Sequence, residues 1–130
     1  MKPSPCFLSI EQVKGVHRRV IREFGGDPAI RDEGLLESAV AMPKAMYRGN
    51  YLHPDVAAMA AAYLFHLCKN HPFVDGNKRT ALVVTEVFLR LNGHRLAATA
   101  RQLEQLTRGV ADGSVTKAQA AEFFRRHVRD

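Results

Sequence analysis

Nine consecutive residues, His71 to Arg79 (HPFVDGNKR), set an imidazole, a carboxylate, an amide, an ammonium and a guanidinium around one glycine. Such a set suits an anion, above all a nucleotide polyphosphate. Gly76 has no β-carbon, so a phosphate can come close to the main chain. Arg79 can grip two oxygens through its planar fork, Lys78 adds a point charge, and Asn77 can donate through its amide. Charge-assisted hydrogen bonds are worth about 1.5–3 kcal/mol each, enough in combination to hold a polyphosphate against water. His71 belongs to the pKa class that takes a proton from an attacking hydroxyl at neutral pH. Asp75 offers a hard oxygen ligand to Mg²⁺, which needs only one or two protein carboxylates besides phosphates and water. The chemistry is group transfer from a nucleotide to a hydroxyl.

Each residue also has a structural reading. Asp75 can N-cap the helix that follows it. His71, before Pro72, can be a turn residue, and Phe73 reads as a core anchor that fixes the loop. Lys78 and Arg79 can be solvated charges, but cations in a first helical turn oppose the helix dipole, which favours an anion there.

The flanking sequence places these residues at a loop leading into a helix N-terminus, where free N–H groups and the dipole both attract anions. Before the loop, Pro54 fits a first helical position, and 55–70 carries Ala57, Ala58, Ala60, Ala61 and Ala62, small side chains that let neighbouring helices approach a central one. After it, Ala81, Val84, Val87, Phe88 and Leu91 repeat at helical spacing until Gly93, a good residue to end the helix of 76–92. Upstream, Ser9 and Gln12 form a capping box for a helix over 9–24, whose stripe Val13, Val16, His17, Val20, Ile21 and Phe24 stops at Gly25-Gly26. A shorter helix near 34–42 ends at Pro43, and 44–53 reads as irregular. Two more helices follow near 99–111 and 116–128, the latter opened by Thr116 with Gln119. The expected fold is all-α, one compact domain over 1–130 with about six helices.

At 130 residues and 46% hydrophobic content, the chain can bury roughly two-thirds of its unfolded surface without staples. Cys6 and Cys68 are too few for a disulfide framework, so a reducing cytoplasm is the expected compartment. The start lacks a secretory apolar stretch, and the run 56–67 falls short of the ~20 residues that span a bilayer. The net charge of +6 and pI near 9.7 point to anionic partners. No basic recognition helix, zinc spacing or aromatic-basic interleaving supports direct nucleic-acid binding. His66 and His71 diverge by about 140° on a helix, which argues against a metal site with Cys68. His17, His53, His94 and His127 have no partner pattern and read as structural or surface residues.

HPFVDGNKRTA resembles the signature HxFx(D/E)GNxR of the Fic/Doc superfamily, and the resemblance runs over nearly the whole chain. It implies a base at His71, a Mg²⁺ ligand at Asp75, and phosphate contacts at Gly76, Asn77, Lys78 and Arg79, with ATP as co-substrate. Lys78 stands where adenylyl-transferring Fic enzymes have glycine, and Leu82 where they have a second arginine for the γ-phosphate. Both departures are similar to the Doc branch, in which the nucleotide lies reversed and the γ-phosphoryl is transferred. The Doc resemblance implies the toxin of a type II toxin-antitoxin module, a kinase acting on a threonine of elongation factor Tu and arresting translation. The alternative is Fic-type adenylyl transfer. None of the seven glutamates has Ser or Thr four residues earlier, so the self-inhibitory (S/T)xxxE(G/N) helix is missing. The resemblance then implies control by a Phd-type antitoxin, with the free protein a monomer. Arg125, Arg126 and Arg129 read either as a solvated face or as a surface for that acidic partner.

Overall fold

The computed structural model describes residues 4–130. Among them are six α-helices: α1 (Ile10–Phe24), α2 (Glu33–Ala41), α3 (Val56–Asn70), α4 (Asn77–Leu91), α5 (Ala100–Asp112) and α6 (Lys117–His127). Two short antiparallel pairs join them, β1 (Met46–Tyr47) with β2 (Asn50–Tyr51) and β3 (Arg95–Leu96) with β4 (Val128–Arg129). The stretch read as irregular thus contains a 3-10 turn, Met42–Lys44, and the β1–β2 hairpin. Two-residue strands are too short to leave an alternating pattern in sequence.

Helix α3 is the axis of the fold and packs against α2, α4, α5 and α6. Ala60, Ala61 and Ala62 are fully buried, their small side chains letting the neighbouring helices approach its backbone. Its N-cap is Asp55, whose carboxylate accepts the Ala58 N–H at 2.8 Å, and Pro54 therefore lies just outside the helix. A cap that supplies an acceptor to an orphan N–H displaces a residue that merely tolerates the position. Capping boxes open α1 (Ser9, Gln12), α5 (Thr99, Gln102) and α6 (Thr116, Gln119).

The segment before α1 is tied across the bundle. Tyr63 Oη accepts the Leu8 N–H at 3.0 Å, and Asn92 brackets Cys6, accepting its N–H at 2.8 Å and donating to its carbonyl at 2.9 Å. Burial pushes the Tyr63 phenol up to about 12. Two stripe residues lie outside the core, Leu91 at 47% and Phe24 at 58% exposed. Each closes the last turn of its helix, where the apolar face has run past the neighbouring element. Among the described residues no helix is long and apolar enough to cross a membrane.

Candidate active site

The loop between α3 and α4 is built from the inside outward. His71 terminates α3 in the left-handed conformation (φ 49°), turning the chain back through Pro72. Phe73 is 1% exposed and stacks on the buried imidazole of His17, with ring centroids 3.7 Å apart and planes 7° from parallel. His17 Nε2 in turn donates to the Asp75 carbonyl at 2.9 Å. Asn77 closes the turn from below: its Oδ1 accepts the Phe73 N–H at 3.0 Å and its Nδ2 donates to the Phe73 carbonyl at 2.8 Å. Its amide therefore holds the loop, a structural role that the sequence expectation of a phosphate donor did not include. A buried Phe73 N–H and carbonyl without partners would cost more than a solvent-exposed phosphate contact returns.

A second segment straps the loop from outside. The N–H groups of Arg31 and Asp32 both donate to the Pro72 carbonyl at 2.7 and 3.0 Å, and Val74 N–H donates to the Ala29 carbonyl at 3.1 Å. The Arg31 guanidinium donates to the carbonyls of His71 (2.6 Å) and Asn70 (2.8 Å), satisfying acceptors at the C-terminal end of α3. Asp75 Oδ2 accepts the Asp27 N–H at 2.7 Å. Asp75 is thus not the N-cap of α4; that position belongs to Gly76, at φ 80°, with no side-chain cap bond.

Gly76 has a packing reason for lacking a side chain. A β-carbon there would lie 3.2 Å from Ile21 Cδ1 and 3.4 Å from Val20 Cγ1, and its positive φ is strained for any L side chain. The sequence expectation tied this glycine to phosphate approach; the structure adds a second reason, its left-handed backbone and its close approach to α1.

His71, Asp75, Gly76, Asn77, Lys78 and Arg79 all line one groove of about 980 Å³, whose far wall is α5. The first helical bond of α4 runs from Thr80 N–H to the Gly76 carbonyl, so the N–H groups of Asn77, Lys78 and Arg79 have no carbonyl within the helix. Lys78 and Arg79 are exposed, and neither pairs with a carboxylate among the described residues. Arg79 instead rests on the Phe24 ring, 3.7 Å from its centroid, which explains why that phenylalanine stands outside the core. Two unneutralised cations at the positive end of a helix make a local surplus that an anion would relieve. His71 is exposed, and its ring has no hydrogen-bond partner among the described residues. Cys68 also borders the groove, but it is buried and its thiol is pushed up to about 12 by desolvation, so it is no nucleophile at neutral pH. The arginines of α6 and the C-terminus are locally engaged: Arg125 with Asp55 and Glu122, Arg126 with Glu122, Arg129 with main-chain carbonyls.

The sequence reading placed His17 among structural or surface residues without naming a partner for it, and gave Asp27 and Arg31 no part in holding the loop. The one available signal was a histidine within the apolar stripe of α1, a position that calls for a buried partner.

An all-helical bundle presenting an HxFxDGNxR loop at the N-terminus of a helix beside an open histidine defines a Fic-like group-transfer scaffold. The chain belongs to the Fic/DOC family, which it matches over residues 7–89. It is 49% identical over 75 residues to Toxin Doc of Mycolicibacterium smegmatis, covering 58% of each chain. It is 32% identical over 119 residues to Protein kinase doc of Escherichia phage P1, covering 92% of this chain and 93% of the relative. The resemblance is to the Doc branch of the superfamily.

Proposed function

We propose that the protein is a Doc-type toxin, the poisonous half of a type II toxin-antitoxin module, acting in the cytoplasm as a protein kinase. Its co-substrate is Mg²⁺-ATP and its target a threonine of a translation factor, elongation factor Tu by resemblance. The observation that carries this reading is the groove in which the solvent-open His71 ring, the unpaired cations Lys78 and Arg79 and the free N–H groups of α4 meet. The names of both relatives support it.

In this reading His71 accepts the proton of the threonine hydroxyl as its oxygen attacks the γ-phosphorus. The bond from that phosphorus to the β-γ bridging oxygen breaks, and ADP leaves. Lys78, Arg79 and the first-turn N–H groups hold the charge that accumulates on the phosphoryl oxygens. Asp75 fits a Mg²⁺ ion: it is exposed and only Oδ2 is engaged, by the Asp27 N–H, leaving Oδ1 for a metal. When bound, the ion neutralises phosphate charge. Leu82, on the groove wall, offers no charge to a terminal phosphate, which favours phosphoryl over adenylyl transfer. Restraint by a Phd-type antitoxin completes the proposal.

The test incubates the protein with elongation factor Tu, Mg²⁺ and ATP labelled at either the γ or the α position, followed by intact-mass analysis. Transfer of γ-label alone, falling about 10²–10⁴-fold in His71→Ala, is expected. Label from α-labelled ATP would establish adenylyl transfer instead, and label unaffected by His71→Ala would refute the mechanism.

A further inference from the structure

The groove continues beyond the motif loop. It runs along α4 past Leu82 to Glu86, with Leu103 and Ala111 of α5 on the facing wall. Glu86 is half-buried in this wall, yet it has no hydrogen bond or ion pair among the described residues. The other polar groups nearby are committed: Glu104 and Arg108 pair with each other at 2.6 Å, and the Thr107 hydroxyl donates to the Leu103 carbonyl at 2.8 Å. Burial raises the Glu86 carboxyl, opposed by Arg90 one turn on, which lies beyond ion-pair reach. A half-desolvated carboxylate that caps nothing and pairs with nothing weakens the fold unless something else donates to it.

Its position relative to the cations is informative. Arg79, Leu82 and Glu86 are spaced by three and four residues and form a row on one face of α4. Seven residues separate Arg79 from Glu86, on the order of 10 Å along the axis, comparable to the reach of a triphosphate chain into its sugar. Resting on the nucleotide reading above, we propose that Glu86 is a specificity-determining residue that accepts the 2′- and 3′-hydroxyls of the nucleotide sugar. Its two oxygens match two vicinal hydroxyls. The nucleotide is then fixed at both ends, with phosphates at the motif loop and sugar between α4 and α5.

Calorimetric titration of the full chain with ATP, 2′,3′-dideoxy-ATP and inorganic tripolyphosphate, each with Mg²⁺, tests this. The variants are Glu86→Leu, which extends the apolar row, and Glu86→Gln, which keeps shape and one acceptor. Glu86→Leu is expected to weaken ATP about tenfold, the loss of a hydrogen bond to a charged group. Tripolyphosphate binding stays unchanged, dideoxy-ATP loses nothing further in the variant, and Glu86→Gln falls between. Equal binding of ATP and dideoxy-ATP to the parent, or an equal loss for both in Glu86→Leu, overturns the inference while leaving the nucleotide site standing. A parent that binds neither ATP nor tripolyphosphate sinks the nucleotide reading, and this inference with it.

Discussion

Replacing Asn77 by alanine separates two roles for the most deeply set polar residue of the loop. Its side chain makes two hydrogen bonds to the main chain of Phe73, at 3.0 and 2.8 Å, with both residues buried. Truncation leaves an N–H and a carbonyl without partners, at about 1–3 kcal/mol for each unsatisfied group, or roughly 2–6 kcal/mol together if no water enters. At this chain length about 1 kcal/mol moves the melting midpoint by roughly 3–5 °C, so Asn77→Ala is expected to melt on the order of 10 °C or more below the parent. Thermal and urea melts followed by circular dichroism measure it, with tripolyphosphate titration at low temperature as the companion. A midpoint within about 2 °C of the parent would refute the clamp, the unpaired-group cost being far larger than that. Lost phosphate affinity without lost stability would return the amide to the ligand.

Gly76→Ala should destabilise by about 1–3 kcal/mol, combining the left-handed conformation with the contact on Ile21. In a double-mutant cycle Ile21→Val should recover only the contact part, so full recovery in urea melts would remove the backbone contribution from the account. The imidazoles of His53 and His66 both accept from Lys117 Nζ, at 3.1 and 3.2 Å, and both are lowered by burial first and Lys117 second, His66 to about 4. A folded-state value below the unfolded 6.5 means the unfolded chain binds more protons, so stability is lost as pH falls from about 6.5 toward 4, by up to about 3 kcal/mol for His66. Urea midpoints across that window should fall less in His66→Gln, which keeps an acceptor for Lys117; an identical fall would reject the assignment. Phe24→Ala, removing an exposed ring worth about 0.5–1 kcal/mol under a guanidinium, should weaken tripolyphosphate binding severalfold through Arg79 while barely moving the melt; unchanged affinity would show that Arg79 needs no platform.

The six helices were legible because their signals are local. Capping boxes at Ser9 and Thr116 and the alanine run of α3 act within a turn or two, and a polar glycine loop between two helical periodicities could only be a connection. The roles of single residues were less legible because they depend on partners distant in the chain. His17 meets Asp75 across 58 positions and Arg31 meets His71 across 40, and no local pattern marks either pairing. Asn77 and Gly76 were read outward, toward a ligand, because their types suit an anion. Their geometry is set inward by Phe73 and Ile21. Phe24 shows the reverse: its periodicity said core, but its place in the last turn of α1 delivers it to Arg79.

Because residues 27–32 and the imidazole of α1 hold the HPFVDGNKR turn in shape, its geometry is a property of the assembled N-terminal half and not of the nine residues. Transplanting that peptide, or even the α3–α4 hairpin, into another scaffold would carry the chemistry-bearing side chains without the frame that aims them. In synthesis order the hairpin emerges after its own jig, so the ribosome delivers the cradle before the part to be cradled.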